Sequence, residues 1–205
     1  MAEDIGLIRA IGEWTMDRAL AQMGEWGALP GAPWMALNVS AQELAEGDAY
    51  LTRLEAALAR HKVDGRCVEL EVTERALVSN AQSGVDTLRR IGDLGVRLAI
   101  DDFGTGYSSL SYLRSLPIDK VKIDQAFVRE LATNADDGVI VGAIARLARD
   151  LGLHVSAEGV EDDAQLARLV ALGCEEWQGH RFSAPLEARA YEKVLRAGGT
   201  QALAS

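Results

Sequence analysis

The adjacent aspartates Asp101-Asp102 follow the apolar run Leu98-Ala99-Ile100, and they are the first residues in the chain whose type and spacing suggest chemistry. Successive residues of a strand point to opposite faces, so an acid pair at a strand end can serve two neighbouring sites. Two metal ions roughly 3.5–4 Å apart use such a pair, with one carboxylate bridging. Glu71, Glu158 and Asn38 offer further oxygen ligands. An all-oxygen set without Cys or His selects hard ions, Mg2+ or Mn2+, and argues against structural zinc. Lys122 among these acids can orient a water or help to deprotonate it. Taken alone, an Asp-Asp pair reads as a helix cap or turn; the joint pattern of acids carries the site reading.

The segment Gly104-Thr105-Gly106-Tyr107-Ser108-Ser109 comes directly after the pair. It reads either as a tight loop before a helix capped by Ser108 or Ser109, or as a mobile loop that shapes the site. It is not a dinucleotide fingerprint, because the third glycine and the ribose-binding acid are missing. His61, His154 and His180 lack ligand spacing. Trp14 and Trp26 read as core or interface aromatics. Arg89, Arg90 and Asp93 read as a solvated helical face.

The elements that must position these residues alternate. Helices are expected over Ile5–Trp26, Thr52–His61, Val85–Leu94, Val139–Leu151, Ala164–Leu172 and Tyr191–Arg196, several closed by glycine. Strands are expected at Met35–Ser40, Cys67–Glu74, Arg97–Asp102, Lys120–Asp124 and His154–Val160, with a last one within Glu175–Phe182. Strand and helix alternate about six times, which argues an α/β fold with a mostly parallel sheet. A closed βα barrel and an open doubly wound sheet both fit that pattern. Each strand, however, carries its polar residues at its carboxyl end: Asn38, Glu71 with Glu74, Asp101 with Asp102, Lys122, Glu158 and Gln178. A barrel gathers those ends around one mouth, so the barrel is favoured.

Composition bounds the function. The chain has 205 residues, 48% hydrophobic and 25% charged, the balance of a folded globular protein. Its 31 acidic and 21 basic residues leave a net charge of −10, which disfavours nonspecific binding to a nucleic-acid polymer. A small phosphate ligand remains compatible when metal ions stand between the two sets of negative charge. Aromatics are only 5%, too few for base-stacking platforms. The two cysteines, Cys67 and Cys174, form no disulfide framework. There is no apolar run of membrane-spanning length, and the amino terminus is acidic, so the expected location is the cytoplasm.

Six segments together closely resemble the EAL domains, bacterial phosphodiesterases for the second messenger cyclic di-GMP. They are Asn38-Val39-Ser40, Glu69-Leu70-Glu71-Val72-Thr73-Glu74, Asp101 to Leu110, Lys122-Ile123-Asp124, Ala157-Glu158-Gly159-Val160-Glu161 and Gln178-Gly179. The resemblance covers essentially the whole chain and implies a modified, TIM-like βα barrel. It implies that Asn38, Glu71, Asp101, Asp102 and Glu158 are ligands of a two-metal site for Mg2+ or Mn2+. It implies that Lys122 holds or activates the attacking water, with Glu161 as its carboxylate partner. Gln178 resembles the glutamine that completes the catalytic pocket, and Glu74 the residue that anchors the Asp-Phe-Gly loop. The implied reaction is hydrolysis of cyclic di-GMP to linear pGpG.

The chain departs from that family pattern at its beginning. No segment supplies the Glu-x-Leu strand for which the family is named, and the resemblance begins at Ala2-Glu3-Asp4-Ile5. Residues 1–197 are therefore expected to form a barrel incomplete at its amino end, with about six strands and impaired activity, followed by a flexible tail over 198–205. His180, Arg181 and Ala184 stand where the family usually has aromatic, apolar and basic residues. Cyclic di-GMP is the expected partner. A homodimer through the loop after Asp102 and upstream sensory or GGDEF domains are further expectations from the family. The alternative is an inactive EAL domain that acts by binding cyclic di-GMP or another protein.

Overall fold

The structure is a computed structural model that describes residues 7–27, 29, 33–79, 84–106 and 113–197. The expected helix start at Ile5, the caps at Ser108 and Ser109 and the tail over 198–205 lie outside these residues. The elements run α1 (Ile8–Trp26), β1 (Met35–Val39), α2 (Ala41–Ala45), α3 (Asp48–His61), β2 (Val68–Thr73), α4 (Glu74–Ser79), α5 (Gly84–Asp93) and β3 (Arg97–Phe103). They continue β4 (Lys120–Ile123), α6 (Gln125–Arg129), α7 (Ala135–Asp150), β5 (His154–Ala157), α8 (Asp163–Leu172), β6 (Glu176–Trp177) and α9 (Ala188–Arg196).

The strands form one six-stranded sheet in the order β1-β2-β3-β4-β5-β6. The β1/β2, β3/β4, β4/β5 and β5/β6 pairs are parallel. That order decides between the two architectures the alternation allowed. A doubly wound sheet reverses direction at a switch point, whereas a βα barrel adds each strand beside the last. The strands here follow the barrel order.

The chain divides into two compact units, Met1–Leu98 with Glu187–Leu203 and Ala99–Leu186, so the division falls inside β3. In the first, α1 packs on α3 and β1. Met23 and Trp26 of α1 meet Leu195 of α9, and the Trp26 and Tyr191 rings lie 5.3 Å apart. Trp26 is thus a core aromatic as expected, while Trp14 is 68% exposed and belongs to no core. In the second, α7 packs against β4 and β5 and also against α8.

The strands owe their burial to a period of two. In β2 the apolar Val68, Leu70 and Val72 alternate with Glu69 and Glu71; in β4 Val121 and Ile123 alternate with Lys120 and Lys122. All of these residues are buried, the charged ones included. One face of each strand therefore supplies hydrophobic packing while the other carries charge into the interior. Charge in such a place needs partners, and the partners define the site.

Three short helices escaped the sequence pattern. The first, α2, is closed by a capping box, Ser40 accepting from the Glu43 amide while Glu43 accepts from the Ser40 amide. The second, α4, has the Ala76 amide donating to Thr73 Oγ1. The third, α6, is capped by Asp124, whose Oδ1 accepts from the Ala126 amide at 2.6 Å. All are too short to display a hydrophobic stripe.

Candidate metal centre and substrate cleft

The site is built from strand ends. In the first unit Asn38 and Glu71 are register partners on β1 and β2, side by side near the carboxyl ends of those strands. Asn38 is exposed and Glu71 is buried. Glu74 begins α4 directly after β2 and is also buried.

In the second unit the backbone itself brings the two aspartates together. The β3/β4 register runs Ala99↔Lys120 and Ile100↔Val121, then resumes at Phe103↔Ile123. Asp101 and Asp102 therefore stand opposite Lys122 alone, two residues against one, which is the count of a β-bulge. Asp102 has φ +55°, a left-handed conformation that disfavours most side chains. Strict alternation predicted that the pair would face opposite sides of the sheet. The bulge replaces that alternation, and backbone strain of this kind concentrates at functional sites.

Lys122 lies at the centre of the cluster. Its Nζ is 3.3 Å from Asp101 Oδ1 and contacts Glu158 Oε1. Asp101 and Glu158 offer carboxylate oxygens within 4.8 Å of one another, the spacing a shared cation needs. The Asp102 carboxyl is pushed up to about 6, first by a hydrogen bond with Asp124, then by burial and by the charges of Asp101, Asp124 and Glu158. Asp101 and Glu158 thus meet the Lys122 ammonium, and Asp102 and Asp124 add two more carboxyl groups beside them. Asp101 Oδ1 is buried, and its ion-pair contact is with Lys122. A buried carboxylate oxygen in an excess of negative charge suits a hard divalent cation. The donor set of the second unit fits the implied ions.

Asp124 is the residue of this cluster that sequence reasoning passed over. Its capping of α6 and its hydrogen bond to Asp102 give it two roles, and Asp-x-Ala at a strand-to-helix boundary was the available signal.

Beyond the acids lies a cleft of about 410 Å3, lined in part by Glu158, Glu161, Gln178, Gln125 and His180. It joins three of the expected site residues and adds Gln125. Two backbone ladders shape it: the Gln178 amide donates to the Ala157 carbonyl at 2.9 Å, and the Val160 amide to the Gln178 carbonyl at 3.0 Å. Gly179 makes this possible, because a Cβ there would lie 2.1 Å from the Val160 carbonyl oxygen. Gly159, at φ +71°, turns the chain after Glu158, where a Cβ would meet Gln125 at 2.6 Å. Glu161 is exposed, and its amide donates to Gln165 Oε1 at 2.7 Å. The loop after Asp102 is described as far as Gly106, where Thr105 Oγ1 donates to the Asp102 carbonyl.

Comparison with known proteins places this arrangement. The sequence pattern of the EAL domain family matches residues 1–185. The chain is 43% identical over 189 residues to the bifunctional diguanylate cyclase/cyclic di-GMP phosphodiesterase MucR of Pseudomonas aeruginosa, covering 92% of this chain and 27% of MucR. The solved PaMucR phosphodiesterase in complex with c-di-GMP superposes with a TM-score of 0.87 at 42% identity, covering 92% of this chain and 76% of that one. The Klebsiella pneumoniae BlrP1 complex with manganese and cyclic di-GMP gives 0.80 at 31% identity, covering 90% of this chain and 46% of that one. The chain belongs to the EAL domain family. It spans about a quarter to a third of the length of these curated relatives. Among the described residues no helix is long and apolar enough to cross a membrane.

Proposed function

We propose that this domain binds cyclic di-GMP and hydrolyses one of its phosphodiester bonds with the help of divalent metal ions, giving linear pGpG. The observation that carries the reading is Lys122 held between Asp101 and Glu158 with Asp102 brought alongside by the bulge. Asn38, Glu71, Asp101, Asp102 and Glu158 would hold Mg2+ or Mn2+. The ions, when bound, neutralise phosphate charge and ease deprotonation of water. Lys122 orients the attacking water, and its ammonium also offsets charge that develops on the phosphoryl oxygens. Glu161 lines the cleft as the carboxylate partner of Lys122, and Gln178 donates or accepts hydrogen bonds to the substrate from the same wall. Glu74 anchors the loop that follows Asp102. The water oxygen joins phosphorus, one ester P–O bond opens, and the leaving oxygen takes a proton.

Family membership, the similarity to the PaMucR structure in complex with c-di-GMP and the all-oxygen donor set support this reading. A dimer through the loop after Asp102, and sensory or GGDEF domains elsewhere in a longer protein, belong to the same proposal. MucR, with its two activities, is a relative of that composite kind.

The test is hydrolysis of cyclic di-GMP followed by chromatography, with Mg2+, Mn2+ or chelator. The expected outcome is ion-dependent appearance of pGpG, lost at least 100-fold in Asp101→Asn and in Glu158→Gln. Tight binding of the nucleotide by calorimetry with no turnover under any ion would assign the domain to sensing instead of hydrolysis.

A further inference from the structure

We propose that the ion pair between the buried Lys120 and the half-exposed Glu176 is a positioning device for the metal centre. It neutralises a second lysine beneath the carboxylates, so that they face one ammonium and not two. The inference rests on the metal reading given above, and the residues concerned lie outside the set assigned to substrate or metal.

Lys120 and Lys122 are two residues apart on β4, so their side chains leave the same face, with Cα atoms about 7 Å apart. Both are buried, Lys120 to 2% exposure and Lys122 to 5%. Two ammonium groups stacked this way inside a protein repel each other and any cation nearby. Each has its own carboxylate. Lys122 meets Glu158 and Asp101, while Lys120 reaches past β5 to Glu176 of β6, Nζ to Oε2 at 2.6 Å.

The register makes room for this crossing. Ser156 of β5 is the partner of Lys122 on one side and of Glu176 on the other, so all three share a face. It is 7% exposed, and its Oγ has no hydrogen-bond partner among the described residues. An unpartnered buried hydroxyl is unfavourable. Two ion pairs therefore share this face, that of Lys122 at the acid cluster and that of Lys120 beginning two residues earlier on β4. The Lys120 pair cancels a charge that would otherwise oppose a divalent ion at the cluster.

A structural ion pair and a charge-setting one differ in sign. Removing either partner of a merely structural pair weakens the fold and leaves metal affinity unmoved or lower. Removing partners of a charge-setting pair moves affinity in opposite directions. The experiment is titration of the full chain with Mn2+, free ion followed by electron paramagnetic resonance, for wild type, Glu176→Gln, Lys120→Met, the double variant and Asp101→Asn. Glu176→Gln should weaken binding about ten-fold, Lys120→Met should tighten it by several-fold, and the double variant should return near wild type. Shifts in the same direction, or no shift in either single variant, overturn the inference. If Glu176→Gln does not fold, Lys120→Met decides alone: tighter binding supports the inference and unchanged or weaker binding overturns it. Wild-type binding that is absent, or unaffected by Asp101→Asn, removes the metal reading and this inference together. Binding lost in Asp101→Asn without opposed shifts removes only this inference.

Discussion

Asp102 is the residue in which local strain and chemistry meet. It holds a left-handed backbone, shares a hydrogen bond with Asp124 and faces three acidic neighbours. Its carboxyl is raised to about 6 from an ordinary 3.8, so folding favours the neutral form relative to the unfolded chain. The sign follows from linkage: this contribution to stability is present below about pH 4 and is lost as pH rises through about 6. A divalent ion reverses the preference, because it binds the ionised form and competes with the proton. Thermal melts of the chelated protein should therefore gain least from added Mn2+ near pH 5 and most near pH 7.5. Equal gains at both values would show that Asp102 does not ligate the ion. The aspartate pair itself was legible from its place after an apolar run. Its place opposite Lys122 alone was not, because a bulge is a property of paired strands and leaves no mark in a single one.

Among the elements, the junction of β5, β6 and the following turn governs the cleft. The Val160–Gln178 ladder closes only because Gly179 allows backbone to approach backbone. A methyl group in Gly179→Ala would meet the Val160 carbonyl, nitrogen and carbon, none of which can rotate away. We expect that variant to lose roughly 2–3 kcal/mol, the range of overpacking in a close-packed interior, measured by urea unfolding. The capping box of α2 supplies a gentler test. Ser40→Ala removes the acceptor of the Glu43 amide and should cost about 1 kcal/mol with the cleft intact. Long helices and most strands were readable from hydrophobic period and glycine stops. The helices α2, α4 and α6 were not, since five or six residues cannot show a period of 3.6, although Ser40-x-x-Glu43 and Asp124 were visible capping signals.

At the scale of the molecule, the two cysteines report on opening. Cys174 is buried, and burial pushes its thiol up to about 11, whereas Cys67 is half-buried. At pH 7.5 a thiol reagent should modify Cys67 in the folded chain and reach Cys174 only on unfolding. Saturating Mn2+ should slow the second reaction by the factor that ion binding stabilises the fold. Prompt modification of both thiols would mean that the region around Cys174 opens without global unfolding.

Residue type and spacing alone determined the family, the parallel α/β alternation and the acids proposed here for the chemistry. Those properties depend on neighbours along the chain, and short motifs record them. Tertiary structure decided the rest: the bulge that sets Asp101 and Asp102 opposite Lys122 alone, the partnership of Lys120 with Glu176 and the exposure of Trp14. Each of these is set by which strand lies beside which and in what register. Such long-range pairing is fixed by the energy of the whole packed sheet and is written in no local stretch of sequence.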